Sequence, residues 1–322
     1  MSQSSAHGLP RSLSRAVGWI VALVSRFMKY QYSNNYVIWF YLRNRRARAH
    51  WRKHPIEASP AVTAAVEALK RTGICSFDFR EVLSAELLTE YVDSAEEAIS
   101  SPSCQRLIEE AERMVRSADQ GARAQSYQVK LWKHLGDRFR ERLVQLALRE
   151  EFLAVASGYM GMSCSLSYVD LWYNVPLPGT DVLFQRWHRD AGDRAIVKLY
   201  LYLRDVDESA GPLSYVLGSH ADGRHRNVFP GWGSTRTDEV EARFPPEERV
   251  VCTGEAGTVV FCDTSGLHKG GHVVSKHRLI FYALYTSDVG RPTGTAYLYD
   301  RFLSQPSESL GPTQKYALNQ GG

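Results

Sequence analysis

The chain reads as an α+β protein: helices come first, then a jelly-roll or barrel of short strands, with the helices packed on one sheet. Three observations carry this. Apolar residues recur at helical spacing as far as Gly161. From Cys164 onward the pattern changes to short runs rich in Val, Leu, Tyr and Phe, several of them alternating. Gly, Pro and Asp turns separate those runs, as in closed or double-sheet β architectures, and helices followed by strands indicate α+β.

Each element has its own signal. Ser59–Thr72 is an amphipathic helix closed by Gly73, and Ile74–Phe79 is a short strand. Ser84–Ser100 is a second helix, with Ser84 as cap and Glu86 and Glu90 in its early turns, where carboxylates complement the helix dipole. Asp137–Tyr159 is expected as one helix, with Leu143, Leu146, Phe152 and Val155 at helical spacing. Ser126–Trp132 reads as a short strand ahead of it. Strands then follow at Cys164–Val175, Ala195–Val206, Leu213–Leu217, Arg249–Cys252, Thr258–Cys262, Leu267–Val274 and Arg278–Ser287. In Ala195–Arg204, Val197, Leu199, Leu201 and Leu203 share one face, and Lys198, Tyr200, Tyr202 and Arg204 the other. Residues 221–247 form a long insertion with Gly, Pro, Trp232 and mixed charges, expected as a lid. There are no repeats and no low-complexity tract.

Composition fits a globular enzyme. With 322 residues, 44% hydrophobic and 23% charged, the chain has the makings of a buried core. A net charge of +4 says little alone. The five cysteines (Cys75, Cys104, Cys164, Cys252, Cys262) are odd in number and contain no C-x-x-C pair, which points to reduced thiols in a cytoplasmic setting and away from structural zinc. Charge is uneven, however. Arg43–His54 holds six Arg/Lys and no acid, after two apolar runs, Ala16–Val24 and Tyr36–Leu42. Neither run approaches the roughly 20 residues that span a bilayer. Arg11 and Arg15 imitate a signal peptide, but no small-x-small site follows, and Arg26 and Lys29 come next. The expected division is a basic amphipathic arm over residues 1–58 and a catalytic domain over 59–322. Trp19, Ile20, Leu23 and Phe27 with their basic flanks suit peripheral association with an anionic membrane surface, on the inner face. The alternative is an arm packed on the domain or on a second subunit of a homo-oligomer. Nothing else in the chain supports nucleic-acid binding.

The chemistry is concentrated in His188-Arg-Asp190, His268 and Arg278. Two histidines and one carboxylate on one face suit mononuclear non-haem Fe(2+), leaving positions for a chelating co-substrate and O2. Residues i and i+2 of a strand point the same way, so His188 and Asp190 can share one metal, with His268 brought alongside. Arg278 is expected on a strand next to the one carrying His268, facing the same cavity. A guanidinium there can hold the distal carboxylate of 2-oxoglutarate by paired hydrogen bonds.

Residues 163–288 resemble the phytanoyl-CoA dioxygenase-like family of Fe(II)/2-oxoglutarate oxygenases. Beyond the metal residues, the resemblance rests on Leu203–His220, similar to the family's strand, acidic turn, "NGPL" turn and "V-x-PGSH" strand end. It also rests on Gly254–Phe261, similar to the glycine-led strand before the second metal histidine, and on the helix–strand–helix opening at Val66–Val92. Leu217 departs from the family, which usually has proline there. The resemblance implies a double-stranded β-helix (jelly-roll, cupin-like) core, Fe(2+) on His188, Asp190 and His268, and 2-oxoglutarate as co-substrate with Arg278 as its anchor. It also implies O2, with ascorbate as reductant, and an aromatic residue near the co-substrate at Tyr200. Lys198 adds charge for a carboxylate, against the alternative of a lysine in solvent. Asn174 and Gln185 are further candidates for the C1 carboxylate or the substrate, and Lys130 is a further basic one. The implied reaction is hydroxylation of an unactivated C–H bond in a small-molecule or lipid-linked substrate, with release of succinate and CO2. Asp190, in place of Ala or Gly, leaves no site for chloride and favours a hydroxylase over a halogenase. The alternatives are a cupin-like metalloenzyme that does not use 2-oxoglutarate, and a non-catalytic scaffold. His220 is expected as a structural hydrogen-bonding residue, His225, His272 and His277 as surface or substrate contacts, Asp205 and Asp207 as caps of turn amides, and Trp187 as packing.

Overall fold

The computed structural model describes residues 35–117, 126–177, 185–229, 234–290 and 310–318. Strands β1 (Ile74–Asp78), β2 (Gln128–Lys130), β3 (Ser165–Asn174), β4 (Ile196–Tyr202), β7 (Thr258–Asp263) and β9 (Arg278–Thr286) form an antiparallel sheet in the order β1-β7-β4-β9-β3-β2. Strands β5 (Leu213–Val216), β6 (Arg249–Cys252) and β8 (His268–Gly270) form a smaller one, in the order β6-β5-β8. Together they make the double-stranded β-helix of an α+β protein. Non-consecutive neighbours such as β4 and β9 give the jelly-roll its long-range pairing.

The period of two decides what each side chain does. On β4, Val197, Leu199 and Leu201 are fully buried on one face, while Lys198, Tyr200 and Tyr202 line a cavity on the other. The first face is covered by helices. Phe152 lies 5.9 Å ring to ring from Phe261 of β7 and 6.1 Å from Phe79, so the helical layer and the large sheet share one aromatic core.

Helix α1 spans Arg45–Lys53 and α2 spans Pro60–Thr72. Ser59 caps α2 by accepting from the Val62 amide at 3.2 Å, and Pro60 sits where its missing N–H costs nothing. Gly73 ends it at φ +84°, and a Cβ there would meet the Tyr215 hydroxyl at 2.4 Å, so conformation and crowding both require glycine. Helix α3 (Ala85–Ile99) is capped by Ser84, as expected.

Four features differ from the sequence reading. Helix α4 (Pro102–Val115), capped by Ser101, was not anticipated. The single helix expected over Asp137–Tyr159 is two, α5 (Asp137–Ala147) and α6 (Glu150–Met160), broken where Arg149 turns extended at ψ 136°. Apolar spacing runs through the break, because α6 is buried on nearly all sides. The strand expected over Leu267–Val274 shrinks to β8: past Gly271, whose amide still bonds the Pro212 carbonyl at 2.8 Å, the Val273 carbonyl accepts from the Leu177 amide and the Val274 amide donates to the Ser209 carbonyl. Strand β9 does not lie beside the strand of His268: β8 pairs with β5, and β9 sits between β4 and β3.

The chain divides into two compact units, Met1–Arg45 and Arg46–Gly322. Part of the segment grouped with the arm from sequence belongs to the larger unit. The Ser163 amide donates to the Ala47 carbonyl, His50 Nδ1 lies 2.8 Å from Ser163 Oγ, and the His50 ring packs tilted on Tyr316 of α7 (Pro312–Ala317) at 4.2 Å. The apolar run Ala16–Val24, its basic flanks and Phe27 lie outside the described residues, as does Trp232. Among the described residues, no helix is long and apolar enough to cross a membrane.

Candidate metal centre

His188, Asp190 and His268 converge. His188 and His268 pair backbone to backbone, each amide donating to the other's carbonyl at 2.9 and 3.0 Å. The Asp190 amide donates to the Thr264 carbonyl at 2.8 Å, fixing the third residue against the loop that leads to His268. One ligand atom from each residue lies within 4.8 Å of the others. Asp190 Oδ1 is 3.8 Å from His188 Nε2, and Oδ2 is 3.8 Å from His268 Nε2. With metal–ligand bonds of about 2 Å, one ion spans such gaps.

Protonation favours ligation. His188 Nδ1 lies 2.8 Å from the Arg186 carbonyl, and His268 Nδ1 lies 3.0 Å from the Gly266 carbonyl. A carbonyl only accepts, so each Nδ1 carries the proton and each Nε2 presents a lone pair. Burial holds the His268 imidazole well below the usual histidine range, with the neighbouring His188 adding to the effect, and burial lowers His188 as well. Burial alone would raise Asp190, but Lys198 above all, with the two histidines, keeps it ionised and below the usual carboxylate range. Two neutral imidazoles and a carboxylate facing an open cavity form a donor set that fits non-haem iron.

Lys198 is not in solvent: its Nζ lies 2.5 Å from Asp190 Oδ2, and its side chain is 13% exposed. Asp190 raises its pKa against the opposing effect of burial.

Arg278 reaches the same cavity of about 340 Å3 from the opposite sheet. It is buried, and Nη1 donates to the Gly211 carbonyl. Nε has no partner, and no carboxylate pairs with it among the described residues. Asn174 stands directly across from it on β3, fully buried, with neither amide atom partnered. Tyr200 lines the cavity as expected, and so does Tyr127, which the sequence reading missed. Both phenols sit close enough to Arg278 to act on it electrostatically. Tyr127 precedes β2 in irregular backbone, with no periodic signal to place it. Gln185 is fully buried but does not line the cavity, whereas Lys130 does. The wall beyond Arg278 is aromatic: Trp172 stacks on Tyr282 at 4.0 Å, and Tyr168 and Tyr200 meet Tyr282 edge-on. Trp172 and Tyr282 were also missed. Strand parity orients each of them, but the register that brings β3 beside β9 is not written in either strand alone.

Arg189, between two ligands, points the other way. Its guanidinium donates to the carbonyls of Ser219, His225, Val228, Phe229 and Ser265, tying the insertion and the His268 loop to the His188–Asp190 segment. Trp187 packs with Val240 and Phe244 of the insertion, as expected for a core residue. His220 Nε2 lies 3.2 Å from the Lys70 carbonyl, a structural contact as expected. His225 pairs with Glu248 and His277 with Glu112. Asp205 and Asp207 accept from the amides of Ala256 and Ser209, as turn caps do. The Leu217 amide donates to the Glu248 carbonyl at 2.9 Å, a bond that proline at this position could not make.

A jelly-roll with two histidines and a carboxylate at its open end defines a cupin-type metal oxygenase scaffold. The chain belongs to the phytanoyl-CoA dioxygenase family, whose model matches residues 69–279. It is an enzyme of the 2-oxoglutarate-dependent oxygenase group. Among solved structures, the non-haem α-ketoglutarate-dependent epimerase SnoN from nogalamycin biosynthesis is 22% identical, with 78% of this chain and 92% of that one covered at a TM-score of 0.52. The carbocyclase SnoK of the same biosynthesis is 19% identical over 69% and 82%, at 0.44. EctD from S. alaskensis with bound Fe is 17% identical over 76% and 87%, at 0.49. The SnoN likeness supports the fold. No curated protein matches the chain.

Proposed function

We propose that this protein is an Fe(2+)- and 2-oxoglutarate-dependent hydroxylase acting on an unactivated C–H bond of a small-molecule or lipid-linked substrate. The observation that carries the reading is a buried Arg278, with no carboxylate partner among the described residues, facing the same cavity as the His188–Asp190–His268 cluster. A buried guanidinium left without an anion is costly, and a dicarboxylate that also reaches the metal supplies one. His188, Asp190 and His268 would hold iron. Arg278, with the Tyr127 and Tyr200 hydroxyls, would hold 2-oxoglutarate; Asn174 lies beside Arg278 but does not line the cavity. Bound iron supplies O2 activation coupled to decarboxylation of 2-oxoglutarate to succinate and CO2, with ascorbate as reductant.

The chain's own residues orient and shield. Arg278 fixes the co-substrate from the sheet opposite the metal. Trp172, Tyr168 and Tyr282 keep water from the reacting region and offer flat apolar walls to the substrate. Lys198 holds one oxygen of Asp190. Asp190 also fills the position a halide would need, which favours hydroxylation over halogenation.

The test is a screen of fractionated extracts with the purified protein, Fe(2+), ascorbate and 2-oxoglutarate, reading succinate and the mass of the consumed compound. Succinate release with one oxygen atom gained in the product is expected. Substrate consumption without oxygen gain would reassign the reaction, and absence of 2-oxoglutarate binding would remove the reading altogether.

A further inference from the structure

The first acidic residue of the chain is Glu57. Ten of the 39 Lys and Arg lie before it and none of the 35 Asp and Glu, so the remainder of the chain is net acidic. Such a charge asymmetry calls for an anionic partner.

The described part of the smaller unit, residues 35–45, gives that partner a second property. Ile38–Arg43 is a π-helical turn in which the Asn44 amide donates to the Trp39 carbonyl, five residues back, at 3.2 Å. Residues five apart therefore share a face. Trp39 and Asn44 are buried together. Tyr36 with Tyr41, and Val37 with Leu42, lie outward and are between 43% and 62% exposed. Tyr36 stacks on Phe40 at 5.1 Å, which makes the face a continuous aromatic and aliphatic patch. The other large exposed apolar residues among those described, Met114, Val251 and Val274, are scattered singly in sequence.

One surface matches both properties. An anionic bilayer offers phosphates to the arginines and a headgroup–acyl boundary to tyrosine, valine and leucine. A nucleic acid would satisfy the charge and leave Val37 and Leu42 in water. A second copy of the same segment would bring cations against cations. We propose that Tyr36–Arg45 docks the protein peripherally on an anionic lipid surface, the apolar face at the boundary and Arg43 and Arg45 drawn to the phosphates.

The test is flotation of the full chain with vesicles of equimolar phosphatidylcholine and phosphatidylglycerol against pure phosphatidylcholine. Binding only to the anionic vesicles, weakened by salt, is expected. Tyr41→Ser with Leu42→Ser should lower vesicle binding about tenfold or more, as partition scales with apolar area buried, while 2-oxoglutarate turnover and melting temperature stay unchanged. Arg43→Gln with Arg45→Gln should likewise lower it about tenfold or more, and serves if the first variant fails to fold. Equal binding to neutral vesicles, unchanged binding of both variants, displacement of vesicles by duplex RNA, or loss of a dimer in light scattering of the Tyr41/Leu42 variant would each overturn the proposal.

Discussion

Arg278 sits where burial and charge conflict. Burial lowers its pKa, yet a guanidinium stays charged in any protein, and an anion in the cavity would relieve that conflict. Arg278→Ala is expected to raise the 2-oxoglutarate requirement about 30-fold or more, the cost of removing one partner of a buried charge pair, while metal affinity, read by calorimetry with Fe(2+) or Mn(2+), changes little. A parallel loss of metal binding would mean that the side chain supports the fold and not the co-substrate. Lys198 presents the reverse case. Its ammonium lies 2.5 Å from Asp190 Oδ2. Lys198→Met would leave a largely buried carboxylate without its ammonium, at about 3–5 kcal/mol for breaking such a pair. A metal ion can replace that charge. The variant should therefore melt below the wild type without metal and gain more from added metal. An equal gain in both proteins would show that Asp190 does not depend on Lys198.

At the scale of elements, the turn Gly211-Pro212 joins the two sheets' contributions. Gly211 has φ +70°, and a Cβ there would lie 2.5 Å from the Gly271 carbonyl. Its own carbonyl takes the Arg278 donor. Gly211→Ala should destabilise by about 2–3 kcal/mol, combining left-handed strain with a backbone clash. It should also weaken 2-oxoglutarate binding by displacing Arg278. A lower melting temperature with unaltered 2-oxoglutarate affinity would separate the two effects and refute the second. The same region shows what a sequence can and cannot reveal. Alternation puts Lys198 and Tyr200 on one face of β4, because the strand keeps its period of two throughout, but only the family resemblance turns Tyr200 toward the co-substrate, and for Lys198 the sequence leaves solvent open. His188 and Asp190 stand two apart, but His188 forms only an isolated bridge and Asp190 lies outside the strands, so the pair takes its meaning from the distal His268 and Arg278. The sheet of β9 was misread, since nothing in Gly270–His277 states that the chain crosses over rather than pairing back. Helix α4 was passed over although Ser101-Pro102 is a sound start signal, and the break at Arg149 left no mark in the apolar spacing. Arg189 and Tyr127 act through contacts remote in sequence, so neither spacing nor composition could assign them.

Across the whole molecule the cysteines report how far the core extends. Cys75, Cys252 and Cys262 lie on β1, β6 and β7, Cys104 on α4, and Cys164 just before β3. All five are free and buried. Burial pushes the Cys75, Cys164 and Cys252 thiols up to about 12 and Cys262 well above the usual thiol range, so the reactive thiolate is scarce at neutral pH. Access and ionisation thus both protect them while the fold holds. A thiol-reactive dye should label close to none of the five in the native protein and all of them after denaturation. The native labelling rate should follow global opening rather than local fluctuation, because the sites are spread over both sheets and the helical layer. A melting temperature unchanged by reductant is expected alongside, since no disulfide joins them. Rapid native labelling of Cys75 or Cys262 would mean that the β1–β7 edge of the large sheet opens independently of the metal-bearing strands.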